Sequence, residues 1–278
     1  MKKYFILIFF ITIANYAQTV NYINSIGNFK NAVSFCIIPS GSFYISDNST
    51  NEVYKIDSDG NILKEVGGYG WKNGLFDDPA DVFANELNVY VSDKNNNRIQ
   101  IFDKNLNYLS EFRTNENESS TYIFERPACF AISNQSDLLV LDSYNKRILK
   151  YDLAGKFLQQ IGSYDAGEYS LVTPDKFAIS PDGKIFVLNE NKIFVFDQYG
   201  NGVIQLPINF PAHSIKIYNS TMTISSDDKI SFIDLANISS GFINITLNSD
   251  SKIIEAYSID SKLFILNNKC IDIYEITK

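Results

Sequence analysis

Histidine occurs once in this chain of 278 residues, tryptophan once, methionine twice and cysteine three times. Each scarcity excludes something. A single imidazole, His213, rules out a metal centre built from several histidines. Three cysteines, Cys36, Cys129 and Cys270, are odd in number and far apart, so no disulfide framework is written here. All three sit in strand-like runs (SFCII, PACFAI, NNKCIDIY) and read as buried free thiols. Positive charge is short as well: 24 Lys and Arg face 32 Asp and Glu, for a net charge of −8. An acidic surface repels phosphate backbones, which sets nucleic acid aside as a partner. A long amphipathic helical pattern is missing, and apart from the first residues no run is long and apolar enough to cross a membrane.

The one long apolar run opens the chain, MKKYFILIFFITIANYAQ. Two lysines lead, an apolar segment follows from Tyr4 to Ile13, and small residues Ala14 and Ala17 come next. That is the layout of a secretory signal peptide. Its apolar part, about ten residues, is too short to span a bilayer comfortably; an uncleaved anchor or a buried first strand would be the alternatives. Residues 1–17 are therefore expected to be a signal peptide, and 18–278 the mature chain. Loss of Lys2 and Lys3 takes the charge from −8 to −10. A secreted or periplasmic monomer is expected, with no transmembrane segment after cleavage. The short di-lysine leader points to a bacterial source.

What is abundant is a repeated phrase. FYISDNSTNEVYKID (43–57), VYVSDKNNNRIQIFD (89–103), LLVLDSYNKRILKYD (138–152) and IFVLNENKIFVFD (185–197) each alternate apolar and polar residues around a short polar turn. Alternation is the mark of half-buried strands. The turn acid gives the ruler, Asp47, Asp93, Asp142 and then Asn189, in steps of 46, 49 and 47 residues. Weaker copies lie at 222–234 and 263–275. Before each phrase a short run follows a proline (DPADVFA, RPACFAI, TPDKFAI, FPAHSIKI), then a tight turn such as SPDG. After it, a fourth strand ends at glycine, as in NILKEVGG and KFLQQIGS.

Four short strands per unit make a small antiparallel sheet that cannot bury both faces alone, and radial stacking of copies can. The reading is all-β: a six-bladed β-propeller of four-stranded antiparallel blades. The sixth unit runs out of chain after three strands, whereas YINSIGN (22–28) aligns with FLQQIGS (157–163). The N-terminal strand is thus expected to complete the sixth blade and hide a sheet edge.

The phrase resembles the NHL repeat. The second and third units (SDKNNNRIQIFD, LDSYNKRILKYD) match well; the first and fourth carry Glu52 and Lys192 in place of arginine, and the fifth and sixth are placed by spacing. The resemblance implies a six-bladed propeller across the mature chain. It says little about chemistry, because propellers of this kind host lyases, lactonases, RNA binders and docking platforms. The repeated Asp47, Asp93, Asp142, Arg98 and Arg147 are expected to be scaffold.

Candidate sites fall on one face, shared by the loops between blades and the turns between second and third strands. The loops at 67–79, 113–127 and 162–174 carry Trp71, Tyr69, Phe76, Tyr122, Tyr164 and Tyr169. Exposed aromatics there favour a protein, peptide or glycan partner; the alternative is that they cover blade junctions. The second residue after each proline is expected near the channel mouth, and aligning the units there gives Ser34, Asp81, Cys129, Lys176 and His213, with Glu255 or Ala256 in the sixth unit. Cys129 and His213 stand two blades apart, too far for an easy nucleophile–base couple. The peptide-amidating lyase of similar repeat holds its metal through several histidines and the virginiamycin-type lyase also relies on histidine, where this chain has one; Asp81 is the one clear channel-mouth acid for a lactonase-like divalent site. Neither metal nor cofactor is expected, and no catalytic residue is assigned. The functional expectation is a binding module acting through its loop face by way of Ser34, Trp71, Asp81, Cys129, Tyr164, Lys176 and His213. The alternative is an extracytoplasmic lyase or lactonase-like hydrolase at the channel mouth.

Overall fold

A computed structural model describes residues 19–114, 122–247 and 251–277. The expected signal peptide lies outside them. Among the described residues no helix is long and apolar enough to cross a membrane.

Six four-stranded antiparallel sheets follow one another in sequence. Blade one is formed by Ala32–Ile37, Phe43–Asp47, Glu52–Ile56 and Ile62–Gly67, in that spatial order. Blades two to five repeat the arrangement over 79–112, 127–161, 174–207 and 214–246. Blade six holds Glu255–Ile259, Lys262–Leu266 and Ile271–Thr277, and its fourth strand is the N-terminal Thr19–Ile26. That strand runs antiparallel to Ile271–Thr277, from Thr19 opposite Thr277 to Ile26 opposite Ile271. The ring therefore closes through both ends of the described chain, as the alignment of YINSIGN implied.

The apolar alternation explains the packing. Phe43–Asp47, Leu138–Asp142 and Ile185–Asn189, the second strands of their blades, are buried throughout, while a fourth strand such as Ile62–Gly67 is largely exposed. Six apolar clusters sit one between each pair of neighbouring blades: Cys36, Tyr44 and Val53 meet Phe76, Val91 and Phe102 between blades one and two, and Leu139, Leu141 and Ile148 meet Val187, Phe194 and Phe196 between three and four. A sheet buried on both faces needs apolar residues at every position of its central strands. Each blade thus depends on two neighbours.

The recurrent turn is a fastener. In blade one the Asp47 carboxylate accepts from the backbone N–H of Lys30 (2.7 Å) and Asn31 (2.9 Å) in the entering loop, and of Ser49 (2.9 Å) in its own turn. Asp93 takes the N–H of Asp77 at 2.8 Å, Asp142 that of Glu125 at 3.1 Å, and Asn189 those of Val172 and Thr173 at 2.8 and 3.0 Å. Short polar side chains suit such backbone caps. The last turn residue is left-handed in each case (Asn51 φ 57°, Asn97 φ 50°, Lys146 φ 56°, Glu190 φ 57°). Where it is asparagine, its side chain also reaches the next blade: Asn51 Oδ1 accepts from Asp78 N–H (3.0 Å) and Asn97 Oδ1 from Arg126 N–H (2.8 Å). Glycine ends the fourth strand of blade one because a Cβ on Gly67 would lie 2.3 Å from the Asn51 carbonyl oxygen.

Candidate functional site

The first strand of each blade lines the central channel, and its inward residues meet across the axis. Ser34, Asp81, Lys176 and Glu255 come together there, joined by Lys216 of blade five. Lys176 Nζ lies 2.8 Å from Asp81 Oδ1 and 3.5 Å from Glu255 Oε1. Lys216 Nζ lies 3.0 Å from Glu255 Oε2 and 3.9 Å from Asp81 Oδ1. Ser34 Oγ donates toward both acids, at 2.7 Å to Asp81 and 3.0 Å to Glu255. The Phe35 N–H donates to Glu255 Oε2 (2.9 Å) and the Phe130 N–H to Asp81 Oδ2 (3.4 Å). Every blade contributes a residue.

Asp81 and Glu255 are both buried. Burial alone would raise the Asp81 pKa; the charges of Lys176 and Lys216 more than offset it and hold the carboxyl below its usual range. Burial likewise opposes charge on the two lysines, and Asp81 and Glu255 outweigh it, so both titrate above ordinary lysine. Two carboxylates and two ammonium groups thus cancel in charge. A lysine held protonated is no nucleophile, and a carboxylate engaged by serine, lysine and backbone is a poor base. The cluster has the chemistry of a clasp.

The remaining channel candidates separate from it. Cys129 is buried among the apolar residues between blades three and four. Burial, with Asp81 nearby, pushes its thiol up to about 12. His213 stands one residue ahead of the inward position, which Ser214 fills opposite Ser225. In blades one to four the register shifts by a bulge just after the strand begins, between Pro79 and Asp81 for example, and in blade five it runs unbroken from Ser214 to Tyr218. Counting two residues from a proline therefore finds a clasp residue in blades two and four, meets the buried Cys129 in blade three, and misses the inward position in blade five. The His213 ring bonds Asp227 (Nε2 to Oδ1, 3.0 Å), whose other oxygen pairs with Lys252 at 3.0 Å. Of the two alternatives in blade six, Glu255 faces the axis and Ala256 packs in the core. Lys216 escaped the sequence reading because it stands two residues beyond the inward position of its strand. Its periodicity from Ser214 was the available signal.

On the loop face the aromatics divide. Phe76 is buried, Tyr122 packs on Phe157 with ring centroids 4.6 Å apart, and Tyr169 stands edge-on to Phe194 and Phe196. Phe76 and Tyr169 cover junctions, whereas Tyr122, 39% exposed, leans on its own blade. Tyr69, Trp71 and Tyr164 are 70%, 72% and 92% exposed. Tyr144, from the second turn of blade three, joins them at 65%. The loop bearing Trp71 is clamped from below. Arg98 donates through Nη2 to the carbonyls of Lys72 (3.0 Å) and Leu75 (2.8 Å), Gln100 donates to Leu75 O (2.6 Å), and Gln100 Oε1 accepts from Gly74 N–H (2.8 Å). Arg98 is itself buried and locked to Asp93 at 2.6 Å. Among the described residues no three or more His, Cys, Asp or Glu side chains gather as a metal site.

These features define a closed six-bladed β-propeller with a clasped axis and aromatic loops on one face. Residues 76–102, which span most of blade two of this six-bladed propeller, match the NHL repeat. The chain is 29% identical over 141 residues to Protein brain tumor of Drosophila melanogaster, a match that covers 49% of this chain and 13% of that protein. Solved structures similar in fold include a streptogramin B lyase (TM-score 0.67, 13% identity, 96% of this chain and 100% of that one). A catalytically inactive virginiamycin B lyase from Staphylococcus aureus, solved with quinupristin, is similar too (TM-score 0.62, 15% identity, 88% and 80%).

Proposed function

We propose that this chain is a docking module, secreted or periplasmic, that binds a protein, peptide or glycan on its loop face. The observation that carries this reading is the set of exposed rings, Tyr69, Trp71, Tyr144 and Tyr164, on a rigid scaffold. Large aromatics supply much contact area with few torsions to freeze. The loop bearing Tyr69 and Trp71, already clamped by Arg98 and Gln100, loses little further freedom on binding. The leader-like first residues support export. The alternative of a lyase or hydrolase at the channel mouth would need a free base or nucleophile, and the axial acids and lysines are engaged with one another.

Trp71 is the single tryptophan, so its emission reports this face alone. Titration with an exported-protein extract, peptides and glycans should shift that emission for the true partner class. A Tyr69→Ala/Tyr164→Ala variant should bind it at least about ten-fold more weakly, a loss of ~1.4 kcal/mol. Full binding by that variant would remove the loop face from consideration, and turnover of a small ester or lactone by the unmodified chain would favour the enzyme alternative.

A further inference from the structure

The channel is unequal at its two ends. Beyond the clasp, toward the turns that join first and second strands, it widens into an open cavity of about 330 Å³. Its origin lies one step along each first strand from the clasp. Blade two places Phe83 there and blade six Tyr257, but blades three and four place Ala131 and Ala178. Two alanines side by side leave the space. Phe130, Phe177 and Ile215 add apolar wall, Asp81 and Lys216 lie at the inner end, and Asn134, Pro181 and Asn219 mark the rim.

We propose that this cup binds a neutral, ring-bearing small molecule, about the size of a fused bicycle, whose carbonyl or hydroxyl end is received by Lys216. A cavity of roughly 150 Å³ with apolar walls accommodates one benzene, so the space here fits two fused rings with room for a polar end. An ammonium has three protons to donate. Among the described residues, Lys216 Nζ has two acceptors within hydrogen-bond distance, Glu255 Oε2 at 3.0 Å and the Phe35 carbonyl at 3.3 Å. Its third proton is left for a ligand oxygen. Charge selects neutrality: the clasp charges are paired with one another and sum to zero, so a charged ligand would be desolvated with no net opposite charge to meet it. The Tyr257 ring, 5.5 Å from Lys216 Nζ, sits beside the same end. The site lies on the face opposite Trp71 and does not rest on the docking reading.

The test is a titration of the purified chain with 2-naphthol and 2-naphthoate, followed by calorimetry and ligand-observed NMR. The neutral probe should bind saturably and the carboxylate about ten-fold more weakly or less. Ala178→Phe, which fills the cup, should abolish 2-naphthol binding, and Trp71→Ala should leave it unchanged. Ala131→Leu serves the same purpose should Ala178→Phe fail to fold. No saturable binding of 2-naphthol, equal binding of both probes, or binding undiminished in the filled variants would each overturn the proposal.

Discussion

Blade two buries an ion pair within itself, and the axis buries an ion cluster shared by all six blades. Asp93 and Arg98 are five residues apart on one hairpin, 2.6 Å from each other, and their other partners include the loop directly above and Asn96 and Glu111 of the same blade. Asp81 and Glu255 are 174 residues apart by their numbering, yet both accept from Ser34 Oγ. The first arrangement forms wherever one hairpin and its loop fold. The second exists only when the ring has closed. A buried charge that loses its partner is costly in either place, but the partner is held by local geometry in one case and by the whole fold in the other. Blade five sharpens the contrast. It lacks the turn acid, with Ser226 in its place bonding Asp228 and Lys229 of its own turn, and it folds through apolar packing all the same.

The largest effect should come from opening the ring. Deleting residues 18–27 removes the outer strand of blade six, and the melting temperature should fall by roughly 10 °C or more, given about 2–4 °C per kcal/mol for a chain of this size. A truncated chain that melts with the parent would refute closure through Thr19–Ile26. Next, Glu255→Ala leaves Lys176 and Lys216 facing Asp81 alone, and should cost about 3–5 kcal/mol by urea unfolding. Glu255→Met with Lys216→Met should recover part of that loss, since two apolar groups leave no stranded charge.

Asp93→Ala should rank beside or below it, at about 3 kcal/mol, because the buried Arg98 keeps only the half-buried Glu111 (2.8 Å) and the Asp77 N–H loses its acceptor. Trp71 emission should become more mobile in the same variant as its loop loosens, which Glu255→Ala should not produce. Ser226→Ala in blade five should cost no more than about 1 kcal/mol, the value of an ordinary hydrogen bond. Equal losses from Asp93→Ala and Ser226→Ala would show that the turn acid is not a fastener.

The smallest effect is in acid, and it separates the two clusters by sign. Asp81 has a folded pKa below its unfolded value of about 3.9. Its contribution to stability is complete above that value and is lost as pH falls through the folded pKa. For Asp93, burial outweighs Arg98 and raises the folded pKa, so acidification does not cost stability through that group. Stability measured from about pH 5 down to pH 2 should therefore fall less steeply in Asp81→Asn, and no less steeply in Asp93→Asn.

The residues of the two clusters were not equally legible. Asp93 and Arg98 recur with Asp142 and Arg147 at one spacing, so their pairing was readable as a turn device. For the axis, the alignment of units on the proline position found Ser34, Asp81, Lys176 and one of two choices at Glu255. It gave no sign that they touch, and it placed His213 where Ser214 stands. A bulge is a backbone event of one residue, and nothing in FPAHSIKI marks its absence. The loop aromatics were all visible, but which of them cover a junction depends on rings from other strands, as with Tyr169 against Phe194 and Phe196.

The sequence by itself determined the blade. Alternation specifies strands, the polar turn and its acid specify the hairpin, and the spacing of the copies specifies six units with a borrowed strand. These are local or periodic features, written within a few residues of where they act. Only the tertiary structure decided what stands in the channel: Lys216 joined to Glu255 and Asp81, and the cup beside Ala131 and Ala178. The reason is geometric. A ring brings six first strands to one axis, so contacts there join residues as far apart as the chain allows, and the hollow is set by the sum of six side chains that no local window contains.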